Sequence, residues 1–403
     1  MELQLKDIEL AAKRLNPILH HTELDMSTTF STMTGGEIYL KCENRQKTGS
    51  FKIRGASNKI AVLVERGDAK SVVASSAGNH AQGVAYAAHK FGIPATIVMP
   101  ESAPIAKIQA TEGYGAKVIL HGSCYDDAYE MACTVCETEG STFLHPYNDL
   151  DVIAGQGTLG LEILGDLPTA DVVIVPAGGG GLLAGIAACI KQINPRVRVI
   201  GVQAEGADAI AQSFREKKYI CTDSVSTIAD GIAVKSPGDI TVELINRYAD
   251  DVVTVNDNEI SEAILLLMER CKQIVEPSGA TPVAAVLKGK VNVRGKKVAC
   301  LLSGGNIDVS FIQRIIAQGL VVRNRRLRFT VTLLDKPGSL VKLLNDIAAQ
   351  GANILTVEHD RLSAGLNPNQ TNVHIACEVG GKEHGERLLR ALGGKGFIVR
   401  LNN

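Results

Sequence analysis

The stretch VVIVPAGGGGLLAGIAACI, residues 172–190, constrains the fold more than any other. It is the longest apolar run in the chain and is long enough to cross a bilayer. Pro176 and the consecutive glycines Gly178–Gly181 instead divide it into a β-branched strand, a tight loop and a helix. A strand that is apolar on both faces and feeds a helix belongs in a parallel sheet covered on both sides. The unit recurs. SVVAS (71–75) leads to HAQGVAYAAHKFG, ATIVMP (95–100) to SAPIAKIQATEGYG, and AKVILHG (116–122) to YDDAYEMACTVCETEG. RVRVIGVQAE (196–205) leads to a further helix, and KKVACLLSGGN (296–306) closes the series. Two groups of such units predict an α/β fold with two lobes. In that architecture ligands lie beyond the carboxyl ends of the strands.

After about residue 320 the pattern changes. VVRNRRLR is basic and reads as a linker over 323–327. Residues 328–403 then run strand, helix, strand, strand, helix, strand, the βαββαβ rhythm of a ferredoxin-like module. SAGLNPNQ (363–370) is the expected hairpin loop between its two central strands. The first unit is expected over 1–322, with a smaller lobe inserted at roughly 55–150.

Lys plus Arg is 42 and Asp plus Glu is 43, a balance that gives no reason to expect nucleic acid or an anionic membrane as partner. The N-terminus has acidic residues and no apolar signal core. The nine cysteines are scattered and odd in number, which suggests reduced thiols and a cytoplasmic location. Cys133 and Cys136 form a C-x-x-C inside a predicted helix and read as residues of a buried helix face.

Three strands end in loops suited to ligands. Gly178, Gly179, Gly180 and Gly181 can turn successive N–H groups toward an anion at a helix N-terminus, with no Cβ in the way. The same loop satisfies a dinucleotide pattern through Gly179, Gly181 and Ala184, with Glu205 ending the next strand. A simple tight turn is a third reading, and the loop alone does not decide among them. In SSAGNH, the residues Ser75, Ser76, Gly78, Asn79 and His80 suit a carboxylate, whereas a plain helix cap would need only one of them. Ser303, in LLSGGN, stands at the third strand end.

KTGSFKIRGA, residues 47–56, adds a lysine framed by an aromatic and by glycines. A lysine amine becomes a nucleophile when burial lowers its pKa, and Phe51 can form part of the apolar wall around Lys52. An anion loop, a carboxylate loop and a reactive amine together point to pyridoxal 5′-phosphate acting on an amino acid. A nicotinamide-dependent dehydrogenase would leave Lys52 and the asparagine loop unexplained. The chain has no G-x-S-x-G, H-E-x-x-H or P-loop pattern.

KTGSFKIRGA, SSAGNHAQGVA, GGGGLLAG, EPSGA and LLSGGN, in this order, resemble the threonine dehydratases (threonine ammonia-lyases) over roughly residues 5–320. These are fold-type II pyridoxal phosphate enzymes with a tryptophan-synthase-β-like two-lobed fold. The tail, with DKPGSL at 335–340, resembles an ACT domain, as in the shorter dehydratase form. The resemblance implies that Lys52 carries the cofactor as a Schiff base and later acts as general base at the substrate Cα. Phe51 would pack on the cofactor ring and Asn79 would bond its 3′-oxygen. Gly178–Gly181 and the amide of Leu182 would hold the phosphate. Ser303 would meet the pyridine nitrogen, and Gly231 and Glu276 would line the other side. Ser76, Ala77, Gly78, Asn79 and His80 would receive the substrate carboxylate. A neutral Ser303, in place of an aspartate, would favour elimination over transamination.

The implied reaction is deamination of L-threonine to 2-oxobutanoate and ammonia, with L-serine giving pyruvate. It would serve isoleucine biosynthesis or threonine catabolism. Serine racemases are similar, but they carry a serine where this chain has Ala77, so dehydration should dominate. They also bind a divalent cation through acids where this chain has Gln203 and Ala209, so no metal is expected. The ACT resemblance implies a homodimer or homotetramer and an effector, an amino acid such as isoleucine or valine. A nucleotide monophosphate acting through the catalytic domain is the alternative. Asp335, Gly338, Ser339, Leu340, Asn353 and Ile354 are the candidate effector residues. A non-catalytic amino-acid sensor built on the same fold is the reading from another class.

Overall fold

The computed structural model describes residues 2–362 and 365–401. The chain divides into two compact units between Ile307 and Asp308.

The first unit holds two sheets. Strands β1 (Leu24–Met26) and β2 (Glu37–Lys41) open the larger one. The chain then leaves to build β3 (Val72–Ser75), β4 (Ala95–Met99), β5 (Lys117–Leu120) and β6 (Thr142–Phe143). It returns as β7 (Val172–Pro176), β8 (Arg198–Ala204), β9 (Asp251–Val255) and β10 (Lys297–Leu301). The larger sheet has the order β1-β2-β10-β7-β8-β9 and is parallel except for β1. The smaller has the order β5-β4-β3-β6 and is wholly parallel. β7 lies between β8 and β10, with Val173 registered against Val199 and Ala299. Every residue of β7 is buried, which is why its sequence is apolar without alternation. β9, an edge strand, is half-exposed and reads less clearly as DVVTV.

The helix Leu150–Asp166 packs unusually closely against two others, Lys52–Arg66 and Gly181–Ile193. Glycines allow it. A Cβ on Gly155 would stand 2.6 Å from the Arg54 carbonyl oxygen, and one on Gly185 would stand 2.4 Å from that of Ile153. The helix that begins at Lys52 is thereby pressed against the framework of the molecule.

The second unit begins with the helix Val309–Val322. It continues as β11 (Arg326–Leu334), the helix Ser339–Ala349, β12 (Asn353–Asp360), β13 (Gln370–Glu378), the helix Lys382–Gly394 and β14 (Ile398–Leu401). The sheet order β12-β13-β11-β14, antiparallel throughout, is that of a ferredoxin-like module. Its core gathers Phe329, Val331, Leu343, Ile347, Val373 and Leu388.

Two expectations change here. The chain divides at 307/308 and not at 322/323, so the helix Val309–Val322 goes with the C-terminal unit. The basic stretch is also mostly not a linker. Arg326 and Leu327 already belong to β11, where Arg326 is registered against Glu378 and the neighbouring Arg325 lies 3.6 Å from the same carboxylate. Ser363 and Ala364, the start of the expected hairpin loop, lie outside the described residues, as do Asn402 and Asn403 at the end of the expected module.

Candidate active site

Lys52 opens its helix, directly after Phe51. Phe51 N–H donates to the Ser303 carbonyl oxygen at 3.0 Å, which fastens the lysine's segment to the end of β10. The Lys52 ammonium lies 5.4 Å from the centre of the Phe51 ring and donates to the Pro146 carbonyl oxygen at 2.9 Å. Burial lowers its pKa to about 8, against a smaller opposing pull from Glu276. An amine so placed is neutral in roughly a tenth of molecules at pH 7, far more than an ordinary lysine, and can then attack a carbonyl carbon.

The asparagine loop follows β3. The helix Asn79–Phe91 has Gly78 at its N-cap and no side-chain cap. The capping role that Ser76 or Asn79 could have filled is therefore not taken, and the first helical amides stay available to an anion. Ser76 Oγ instead accepts from Gly78 N–H at 3.1 Å. Asn79 Nδ2 lies 2.9 Å from each oxygen of Glu276, and its Oδ1 accepts from Asn306 Nδ2 at 2.8 Å. Asn306 Nδ2 also reaches the Thr48 carbonyl oxygen, tying this loop to the lysine segment. Burial raises the Glu276 carboxyl to about 7.

His80 departs from expectation. Its ring nitrogen Nε2 bonds the Leu144 carbonyl oxygen at 2.9 Å, and burial, then Lys52, pushes its pKa down to about 3. The side chain is thus a neutral strut turned away from its own loop. Only the His80 backbone N–H remains where a carboxylate could use it.

The glycine loop needs its composition. A Cβ on Gly178 would stand 2.8 Å from Ile232 Cα, one on Gly179 2.3 Å from the Tyr147 ring, and one on Gly181 2.9 Å from the Tyr147 carbonyl oxygen. Gly180 has φ +95° and faces Thr241, whose hydroxyl donates to the Gly179 carbonyl oxygen at 2.7 Å. The amides of Gly181 and Leu182 open the helix without intrahelical partners. A Cβ on Gly231 would meet Ser278 Oγ at 2.7 Å and Glu276 Oε1 at 3.6 Å. Ser278 Oγ is buried with no partner, a polar atom left for a ligand. Ser303 is buried just beyond the end of β10.

These groups converge through one segment that the sequence reading missed. Leu144–Asn148, LHPYN, follows β6 and touches His80, Lys52 and the glycine loop. Leu144 takes His80, Pro146 takes Lys52, and Tyr147 packs on Gly179. The Tyr147 hydroxyl donates to the Ser236 carbonyl oxygen at 2.9 Å, and Asn148 Nδ2 reaches Asp239 at 2.8 Å. Two of these contacts are made by backbone carbonyls, which carry no residue-type signal.

The set fits pyridoxal phosphate: a glycine turn with open amides at a helix N-terminus, an amine with lowered pKa, and an unpartnered hydroxyl beside a carboxyl. The residues 16–304 match the family model described as pyridoxal-phosphate dependent enzyme. The chain is a pyridoxal-phosphate dependent enzyme. It is 51% identical over 399 residues, 99% of both chains, to an L-threonine ammonia-lyase of Thermotoga maritima. Among solved structures it resembles a threonine deaminase from T.th. (TM-score 0.72, 40% identity), covering 76% of this chain and 99% of that one. It also resembles maize serine racemase (TM-score 0.75, 38% identity), covering 80% and 99%. This pyridoxal-phosphate dependent enzyme is a lyase of the fold-type II group. The dinucleotide reading of the glycine loop falls with that assignment, and Glu205 lies on the surface instead, 4.0 Å from Lys290.

The remaining expectations fall outside this site. Gln203 is fully buried and its Oε1 caps the Ala211 N–H at 2.8 Å, a structural use of that position. All nine cysteines are free thiols, with Cys133 and Cys136 only half-buried. Among the described residues no helix is long and apolar enough to cross a membrane. In the C-terminal unit, Asp335, Gly338, Ser339 and Leu340 line a cavity of about 320 Å³ with Leu333, His359 and Arg361. Asn353 and Ile354 do not join them. They are registered against Glu378 and Cys377, at the opposite end of the sheet from Leu334 and Gln370. The helix Ser339–Ala349 runs the length of the module, so the strand after it necessarily starts at the far end.

Proposed function

We propose that this protein is a threonine ammonia-lyase, converting L-threonine to 2-oxobutanoate and ammonia and L-serine to pyruvate. The observation that carries the reading is the pairing of a lowered-pKa Lys52 with an uncapped helix N-terminus at Ser76–His80. When bound, pyridoxal phosphate supplies an electron sink for charge developing at the substrate Cα. The chain supplies the rest. The amides of Gly178–Leu182 hold the phosphate, Phe51 packs on the ring, and Asn79, Gly231, Glu276 and Ser303 fix its edges. The amides of Ala77, Asn79 and His80 receive the substrate carboxylate, with the Gly78 amide shared with Ser76 Oγ. Lys52, free and neutral, takes the Cα proton. Loss of the β-hydroxyl and hydrolysis of the released enamine complete the deamination. Ala77 offers no hydroxyl for a second acid or base, which disfavours racemisation.

The C-terminal unit is read as an ACT module that regulates turnover, in a cytoplasmic homodimer or homotetramer. Asp335 and Arg361 both line the cavity and pair at 2.7 Å, opposite charges suited to an amino-acid effector's ends. The test is 2-oxo acid release from L-threonine and L-serine, as kcat/KM, beside a Lys52→Ala control. Turnover of threonine that vanishes in the control is the expected result. Cofactor-loaded protein that turns over neither substrate would overturn it in favour of a sensor.

A further inference from the structure

The ring of His145 does not point its chemistry at a ligand. Its Nδ1 accepts two backbone N–H groups, from Tyr147 at 3.3 Å and from Asn148 at 2.8 Å. The ring proton therefore sits on Nε2, and the imidazole closes a turn over the residue between, Pro146. The turn is braced from outside as well. Tyr147 packs edge-on against His145 with ring centres 4.6 Å apart, and its own hydroxyl is fixed on Ser236. Proline adds a fixed φ and has no N–H to divert. The Pro146 carbonyl lies outside the turn's own hydrogen bonds and accepts from Lys52 Nζ at 2.9 Å.

We propose that His145 is a positioning residue for Lys52: by clamping the turn at 145–148 it presents the Pro146 carbonyl as the acceptor to which the lysine amine returns whenever it is not bonded to the cofactor. The inference rests on Lys52 being the cofactor lysine. Without such an acceptor a four-carbon side chain samples many rotamers, and the base is seldom where the Cα proton is. With it, the amine waits at one place, between the phosphate loop, through Tyr147, and the asparagine loop, through His80 and Leu144. His145 stays neutral in this role, since burial and then Lys52 lower its pKa to about 4. The other titratable groups coupled to Lys52 are Glu276 and His80.

The test compares His145→Asn with His145→Leu in the full-length holoenzyme. Asparagine Oδ1 stands at the same branch position as Nδ1 and can accept the same two N–H groups; leucine fills space but accepts nothing. His145→Leu is expected to lower kcat roughly 10- to 100-fold with KM little changed, while His145→Asn stays within about threefold of the parent. The Schiff-base absorbance of the cofactor stays in both variants and is lost in Lys52→Ala, whatever cofactor that variant still holds as the free aldehyde. A second readout uses the same chains stripped of cofactor: the rate of Lys52 modification by an amine-directed reagent against pH, followed by mass spectrometry. A carbonyl acceptor favours the charged amine, so the labelling midpoint should fall in the leucine variant and hold in the asparagine variant. Equal loss of turnover in both variants would overturn the inference, because it would mean that the imidazole itself is needed. An unchanged kcat and midpoint in His145→Leu would overturn it too. Should the leucine variant not fold, His145→Asn decides alone, with parental turnover and midpoint supporting the proposal and a loss of either refuting it. A cofactor that borohydride still fixes covalently to the Lys52→Ala chain would instead refute the underlying assignment of Lys52.

Discussion

At the scale of single residues, the site separates charge by environment. Lys52 and Glu276 are both buried, and burial moves them in opposite directions, the amine down to about 8 and the carboxyl up to about 7. Each is brought near neutrality without a strong partner that would fix its charge. Asn79 bridges the two halves, donating to Glu276 and accepting from Asn306. Ser303 is buried where β10 ends, and its lack of charge matters. A carboxylate there would hold a proton on a facing pyridine nitrogen, deepen the electron sink and prolong the life of the carbanion. Ser303→Asp is therefore expected to raise the share of turnovers that end in transamination, with slower 2-oxobutanoate release. The measurement is the partition between 2-oxo acid formed catalytically and cofactor converted to its amine form. An unchanged partition would remove Ser303 from the control of reaction choice.

At the scale of elements, the helix that starts at Lys52 is held by a buried ion network on its opposite side. Arg54, 1% exposed, donates to Glu43 at 2.8 Å through two nitrogens, to Glu162 at 2.6 Å and to Thr158 at 3.1 Å. Lys41, also fully buried, lies 2.8 Å from Glu162 and 3.1 Å from Asp166. Residues two apart on a helix point in nearly opposite directions, so Arg54 pulls the helix toward the framework while Lys52 faces the ligand side. Arg54→Met would leave Glu43 buried and short of its partner, at a cost of about 3–5 kcal/mol in a denaturant titration. Arg54→Met combined with Glu43→Met should recover part of that loss, since no lone charge then remains. Additive losses in the double variant would contradict the network. The sequence announced the glycine loop, the asparagine loop and the lysine segment because each demands particular residue types. It also announced the interior strands, since two covered faces demand apolar residues throughout, as in β7. It did not announce β1, β6 or β9, which are short or lie at sheet edges, nor the interior β2, whose Glu37 and Tyr39 interrupt its apolar pattern. Nor did it announce Leu144–Asn148, whose carbonyl contacts any residue could have made, nor Arg54, whose partners Glu43 and Glu162 become neighbours only in the fold.

At the scale of the whole molecule, the candidate catalytic residues all fall between Lys52 and Ser303, inside the first compact unit, which has its own cores under both sheets. The C-terminal unit has a separate core and its own charged cavity. Its presence is not needed to assemble any of the contacts around Lys52. Under the proposed reading, regulation by the module would act as a coupling free energy: an effector shifts turnover only by binding the active and inactive forms unequally. Removing residues 308–403 should accordingly leave kcat for L-threonine within about threefold of the effector-free full-length value, since the coupling is felt only when an effector is bound. The same deletion should abolish any change in KM or kcat produced by L-isoleucine or L-valine. Arg361→Ala in the full-length protein gives the sharper comparison. It breaks the bidentate pair with Asp335 at 2.7 and 3.2 Å but leaves the module's core intact. Loss of the amino-acid response in both, with basal turnover kept, would place the effector in the cavity at 333–341. A response that survives the deletion would put the effector in the catalytic unit and leave the module with assembly alone.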